Sequence, residues 1–285
     1  MSDLVSAKST AEIIKKYDFS VQKKFGQNFL IDEHVLDKII DAAQIDVAYG
    51  VIEIGPGLGT MTRRLAALSK KVVAIEIDRQ LIPILSDTLS DCDNVKVINA
   101  DVMKTDLGSL IDEEFGDMPV KVVANLPYYI TTPIVMSLLE GRFAIESITI
   151  MIQKEVAERM RAVPGSKDYG ALSLAVGYYA DAYIAANVPP NCFMPRPKVG
   201  SCVIRLNVRK EPFVSVRDEK QMFALIRGAF NQRRKTLVNA VANYEGLSYK
   251  KEEIEEALKK LDLSPSIRGE ALDLQQFAAL SDILT

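Results

Sequence analysis

Residues 122–132 read VVANLPYYITT, an apolar run that breaks into Asn125, Leu126, Pro127 and Tyr128. A strand that only has to stop usually takes Gly, Asp or Ser, so an uncharged amide, a fixed turn and an aromatic ring in that order point to a ligand. The Asn125 amide oxygen and the Leu126 backbone carbonyl can both accept hydrogen bonds from one planar amino group. Two acceptors on one nitrogen localise its lone pair and aim it out of the ring plane. Pro127 fixes φ and holds the turn. Tyr128 supplies a stacking face that also favours positive charge developing on the nitrogen. The expected occupant is a flat, amine-bearing ring.

A second constellation lies upstream in EIGPGLGT (53–60). Gly55 and Gly57 let the backbone turn sharply and approach a ligand without a Cβ in the way, and the helix that follows presents unpaired amides to it. Dinucleotide loops favour G-x-G-x-x-G; here the third glycine, Gly59, comes one position early and Thr60 takes the expected site. A G-x-G-x-G loop preceded by an acid, Glu53, is the commoner pattern for S-adenosylmethionine, though such loops also serve tight packing alone. Glu76, ending KVVAIE, can accept both hydroxyls of a ribose, a role that suits either nucleotide. Asp101, in NADVM, can accept from an exocyclic adenine amine or simply cap a helix. The three cysteines, Cys92, Cys192 and Cys202, have no metal-ligand spacing, and no metal is expected.

These residues need elements to bring them together. VIEIG (51–55), KVVAIEI (71–77), VKVIN (95–99), VKVVA (120–124) and SITIMIQ (147–153) read as strands, with helical spacing in the segments 58–68 and 79–89 between them. That alternation predicts a parallel sheet with helices on both faces. YIAANV (183–188) and SCVIRLNV (201–208) suit an antiparallel pair at the sheet edge. In such a sheet ligands lie at the carboxyl ends of the strands, where strand order reverses. The first and fourth strands flank that point, so Asn125 is expected beside the glycine loop. After Asn207 the periodicity is helical throughout, with four helices and no strand. The predicted organisation is an α/β domain over 1–209, with an N-terminal flap at 1–30, and a small all-helical domain over 210–285.

The chain has 285 residues, 48% hydrophobic and 26% charged, which fits a soluble globular protein. No apolar run approaches the ~20 residues of a membrane span, no signal-peptide core opens the chain, and sparse cysteines fit a reducing cytoplasm. The formal net charge is −3, which taken alone argues against a nucleic-acid partner. Yet residues 191–235 carry eleven Lys or Arg against Glu211, Asp218 and Glu219. A phosphate backbone feels local charge within a Debye length of about 10 Å rather than the average. Arg233, Arg234 and Lys235 form the densest part of that segment; beside a base-accepting site they suit phosphate contacts better than a solvated face.

The series KKFGQNFL (23–30), EIGPGLGT, ANLPYYITTP (124–133), MIQKEVAERM (151–160), YGALS (169–173), FMPRPKVGS (193–201) and AFNQRRKTL (229–237) resembles the small-subunit ribosomal RNA adenine N6-dimethyltransferases, from about Lys15 to the C-terminus. The short motifs are shared among amino-methyltransferases; the full order, and AFNQRRKTL above all, is specific. The resemblance implies a Rossmann-like class I methyltransferase domain with a helical RNA-binding domain behind it. It implies that Asn28, Leu30, Gly55, Gly57, Glu76, Asp101, Val102 and Asn125 contact S-adenosylmethionine and that Asn125 through Tyr128 bind the target amine. Phe193 would cover the other face of the adenine, opposite Tyr128, with Arg233, Arg234 and Lys235 on the RNA. The implied reaction is dimethylation of two adjacent adenosines in the 3′-terminal hairpin loop of small-subunit rRNA, by a cytoplasmic monomer acting on an assembling 30S particle, with no membrane partner. Gly200 departs from the family, whose members often carry Asp before the serine. Three rivals are a macrolide-resistance methyltransferase of large-subunit rRNA, a non-catalytic assembly factor and, weakest, an NAD-dependent dehydrogenase.

Overall fold

The computed structural model describes residues 4–285, apart from the Lys23 side chain; residues 1–3 of the expected flap lie outside the described residues. The chain runs α1 (Ala7–Lys16), β1 (Phe29–Leu30), α2 (Glu33–Ala43), β2 (Gly50–Ile54), α3 (Thr60–Leu68), β3 (Lys71–Glu76), α4 (Ile82–Thr88), β4 (Val95–Asn99), α5 (Leu107–Phe115), β5 (Val120–Asn125), α6 (Thr131–Glu140) and β6 (Ile145–Gln153). It continues through α7 (Lys154–Arg161), α8 (Ala171–Tyr179), β7 (Ala180–Val188), β8 (Phe193–Met194), β9 (Ser201–Val208), α9 (Glu219–Asn231), α10 (Leu237–Ala242), α11 (Lys251–Lys260) and α12 (Leu274–Leu284).

Seven strands form one sheet in the order β4-β3-β2-β5-β6-β9-β7. The pairs from β4 through β6 are parallel and β6–β9 is antiparallel. Val51, Ile52, Val122 and Val123 are almost wholly buried, as expected of central parallel strands covered on both faces. β4, at an edge, is only half-buried. The register sets Ile54 opposite Ile75 and Ala124, and Glu76 opposite Asn99. The strands therefore stop together, and the residues just beyond them share one edge. Because β3 and β4 lie on one side of β2 while β5 and β6 lie on the other, strand order reverses between β2 and β5, where a ligand crevice forms.

Two compact units result, and their division differs from a single cut near residue 210. The first comprises the residues up to Ala157 together with Ala182–Val208; the second comprises Glu158–Asp181 and Arg209–Thr285. The chain leaves the sheet unit within α7, contributes α8 to the helical unit, and returns at the start of β7. In the helical unit, Arg209 N donates to Tyr179 O (2.8 Å), Phe213 N donates to Tyr178 O (3.0 Å) and the Tyr169 hydroxyl donates to Leu272 O (2.8 Å). Phe223 stacks on Tyr179, with ring centroids 6.0 Å apart. Those bonds and buried aromatic area tie α8 to the last four helices. Residues 232–235 form a turn, and α10 begins only at Leu237, where the Thr236 hydroxyl accepts from Asn239 N.

Candidate active site

The glycine loop leaves β2 in the left-handed region, with φ of +72° at Gly55, +61° at Gly57 and +85° at Gly59. Side chains are strained there, and space adds a second constraint. A Cβ at Gly57 would lie 3.2 Å from the Phe29 ring and one at Gly59 2.9 Å from the Thr88 hydroxyl, whereas one at Gly55 would meet nothing closer than Asn125 O at 4.0 Å. Gly55 thus borders open space shared with Asn125. Gly59 caps α3 without a side-chain bond, so the first amides of that helix face the same space.

Glu76 closes the cleft from β3. Its Oε2 accepts from Gly57 N (3.2 Å) and its Oε1 from Asp78 N (2.8 Å). The residue is buried, and burial pushes its carboxyl up to about 7 against the pull of those two amides. Two of its roughly four lone-pair directions are taken, leaving the rest for donors in the cleft. Glu53, one strand over, is fully buried, and neither carboxylate oxygen has a hydrogen-bond partner. Burial pushes its carboxyl up to about 8; the Thr62 hydroxyl beside it favours the charge but lies outside hydrogen-bonding geometry, and it too is unpaired. Asp101 reaches the cleft with one oxygen committed, since Oδ1 accepts from Met103 N (3.0 Å). It caps a turn and lines the cleft at once.

The opposite wall is the Asn125–Tyr128 turn. Asn125 Nδ2 donates to Asn28 O (3.0 Å), and Asn28 Nδ2 donates to Gly26 O (3.0 Å). With its amino group committed, the Asn125 amide is oriented and its oxygen is left as an acceptor. Leu126 is buried and its N–H donates to Met151 O (3.1 Å). Pro127 O accepts from the Thr131 hydroxyl (3.0 Å), closing the turn onto α6. Tyr128 is half-buried.

The strap before β1 spans the cleft. Gln27 Nε2 donates to Asp78 Oδ2 (2.7 Å), while the next residue, Asn28, accepts from Asn125. Adjacent strap residues thus bond the tip beyond β3 and the tip of β5. Of the positions expected from the sequence, Asn28, Leu30, Gly55, Gly57, Glu76, Asp101, Val102 and Asn125 through Tyr128 all line one cavity. Gln27 and Asp78 were missed. Their link joins residues 51 positions apart, and no local pattern announces it.

Phe193 is a correction. It does not line the cavity; it is 2% exposed and packs with Val35, Leu36, Ile39 and Val203. β8 pairs antiparallel with β1, Leu30 opposite Phe193, so the two side chains share a face, and the Phe193 ring fills the core cluster that Leu30 joins from its cavity position. Arg233, Arg234 and Lys235 belong to the helical unit and are exposed. Arg233 is partly engaged there, donating to Lys167 O (3.0 Å) and facing Glu270 Oε2 at 3.4 Å.

A parallel sheet whose strand order reverses beside a left-handed glycine loop, with Glu76 and the Asn125–Tyr128 turn lining one cavity, is the architecture of a Rossmann-like class I methyltransferase. The family model described as ribosomal RNA adenine dimethylase matches residues 18–276, and the chain belongs to that family. A relative named ribosomal RNA small subunit methyltransferase A from Lachnoclostridium phytofermentans is 58% identical over all of this chain and 98% of its own length. One of the same name from Clostridioides difficile is 49% identical, over 100% and 98% of the two chains. Among solved structures, a dimethyladenosine transferase from Plasmodium falciparum superposes with a TM-score of 0.75 at 30% identity, covering 88% of this chain and 95% of its own. The 23S rRNA methyltransferase ErmE follows at 0.68 and 26%, covering 90% and 99%.

Proposed function

We propose that this protein dimethylates N6 of two adjacent adenosines in the 3′-terminal hairpin loop of small-subunit rRNA, using S-adenosylmethionine. The observation that carries the proposal is the oriented Asn125 amide, its nitrogen held by Asn28 O and its oxygen left to accept, beside the open space at Gly55. That cradle, which a Cβ would fill, and the spare lone pairs of Glu76 fit the cofactor. When bound, the cofactor supplies a methyl group already activated by a sulfonium leaving group. The chain then has little acid–base work to do. Asn125 Oδ1 and Leu126 O accept from the amine and turn its lone pair toward the methyl group; Tyr128 holds the base by stacking, worth about 1–3 kcal/mol. Orientation of this kind can contribute about 7–11 kcal/mol to a transfer step.

In this reading Arg234 and Lys235 contact phosphates, the helical unit binds RNA, and the enzyme works as a cytoplasmic monomer on assembling small subunits. Among the described residues, no helix is long and apolar enough to cross a membrane. The test is tritiated methyl transfer to undermethylated small subunits and, separately, to large subunits, followed by nucleoside analysis. Dimethyladenosine in small-subunit RNA is expected. Label confined to the large subunit would overturn the proposal.

A further inference from the structure

The Tyr128 hydroxyl lies 2.7 Å from Ser201 Oγ, a hydrogen bond between residues 73 positions apart. The two ends of this bond differ in rigidity. Tyr128 sits on the turn beyond β5, whereas Ser201 is the first residue of β9, 1% exposed and opposite Gln153 in the β6–β9 register. Gly200 O, just before it, accepts from Lys154 N at 3.0 Å, so the backbone carrying Ser201 is held on both sides. A ring on a turn can swing about χ1 and χ2; anchoring the atom farthest from Cα removes most of that freedom. Burial pushes the phenol above its ordinary range, so it stays protonated and the link is intact at neutral pH.

We propose that Ser201 is a positioning residue for methyl transfer: by bonding the Tyr128 hydroxyl from the rigid start of β9, it sets the plane of the ring on which the target base stacks. This rests on the reading of Tyr128 as the stacking face. A misaligned ring still binds a base but presents its amine off the line of attack, so the cost falls on turnover rather than on binding. Ser201 ends the FMPRPKVGS segment, and this bond gives that segment a route to the reacting amine that does not require Phe193 to leave the core.

The experiment is a four-member cycle in the full-length protein: parent, Ser201→Ala, Tyr128→Phe and the double variant. The readouts are kcat and KM for methyl transfer to undermethylated small subunits. Ser201→Ala and Tyr128→Phe should each lower kcat about three- to tenfold, the worth of one net hydrogen bond, with KM for S-adenosylmethionine unchanged. The double variant should be no slower than either single one, and Ser201→Thr should restore kcat. Equal losses in both backgrounds, or a Tyr128→Phe variant at the parent rate, would overturn the proposal. Should Ser201→Ala lower the thermal midpoint, Tyr128→Phe reads the same bond from its other end. Tyr128→Ala separates the two readings. At the parent rate it would remove Tyr128 from base binding altogether, while a slow Tyr128→Ala beside a parent-like Tyr128→Phe strikes Ser201 alone.

Discussion

Replacing Glu76 by Gln probes the cofactor site at the carboxylate whose spare lone pairs face the cleft. The substitution keeps shape and removes charge. In the parent, the two carboxylate oxygens answer two backbone amides, Gly57 N at 3.2 Å and Asp78 N at 2.8 Å. Glutamine has one oxygen, so its NH2 must face one of those N–H groups, and the acceptor capacity toward the ribose falls. Losing one charge-assisted bond costs about 1.5–3 kcal/mol, or about ten- to 150-fold in Kd for S-adenosylmethionine. The pH dependence adds a second signature. With the carboxyl pushed up by burial to about 7, a proton occupies one acceptor site below that pH, so parent affinity should weaken as pH falls from 8 to 6. The Gln variant should lack that component. The raised folded value also means that the unfolded chain gives up its proton first, near 4.5. Glu76 therefore costs the free protein stability increasingly from that pH up through about 7, and the Gln variant should lose less stability over that range. Calorimetric titration of parent and variant at pH 6, 7 and 8 measures the affinities. A variant within twofold of the parent, or the same pH slope in both, would refute Glu76 as the ribose acceptor.

Asn125→Ala should lower single-turnover methyl transfer about 10- to 100-fold, the scale of one missing acceptor on a charge-developing amine. RNA affinity by filter binding should change little, and near-normal turnover would remove the amide from the mechanism. Phe193→Ala should lower unfolding free energy by about 3–5 kcal/mol in chemical denaturation, as for a large core aromatic; a loss under about 1 kcal/mol would contradict its place beneath the strap. Arg234→Ala combined with Lys235→Ala should flatten the salt dependence of subunit binding by about 0.7–0.9 in log–log slope for each phosphate that is no longer neutralised. An unchanged slope would assign the pair to a solvated face.

The placement of Gly55, Glu76, Asp101 and Asn125 along one edge was legible in the sequence, because each ends or follows an apolar run in a βα alternation. Parallel strands with matched registers bring all such positions to the same side, and the strand order of the fold puts Asn125 against the glycine loop. The N-terminus of α3 could be read the same way, from three glycines before a helical period. Membership of α8 in the helical unit could not. Its sequence ALSLAVGYY buries Ser173, Leu174, Ala175, Val176, Tyr178 and Tyr179, and a helix buried nearly all round shows no amphipathic face to say what it packs against. Phe193 misled for a related reason. β1 and β8 are two residues each, too short for any alternation, so only tertiary packing decides that the ring is buried among Val35, Leu36, Ile39 and Val203. Gln27–Asp78 and Tyr128–Ser201 are single side-chain bonds across 51 and 73 residues. Such bonds depend on where separate strands end in space, and that is fixed by packing, which leaves no periodic trace along the chain.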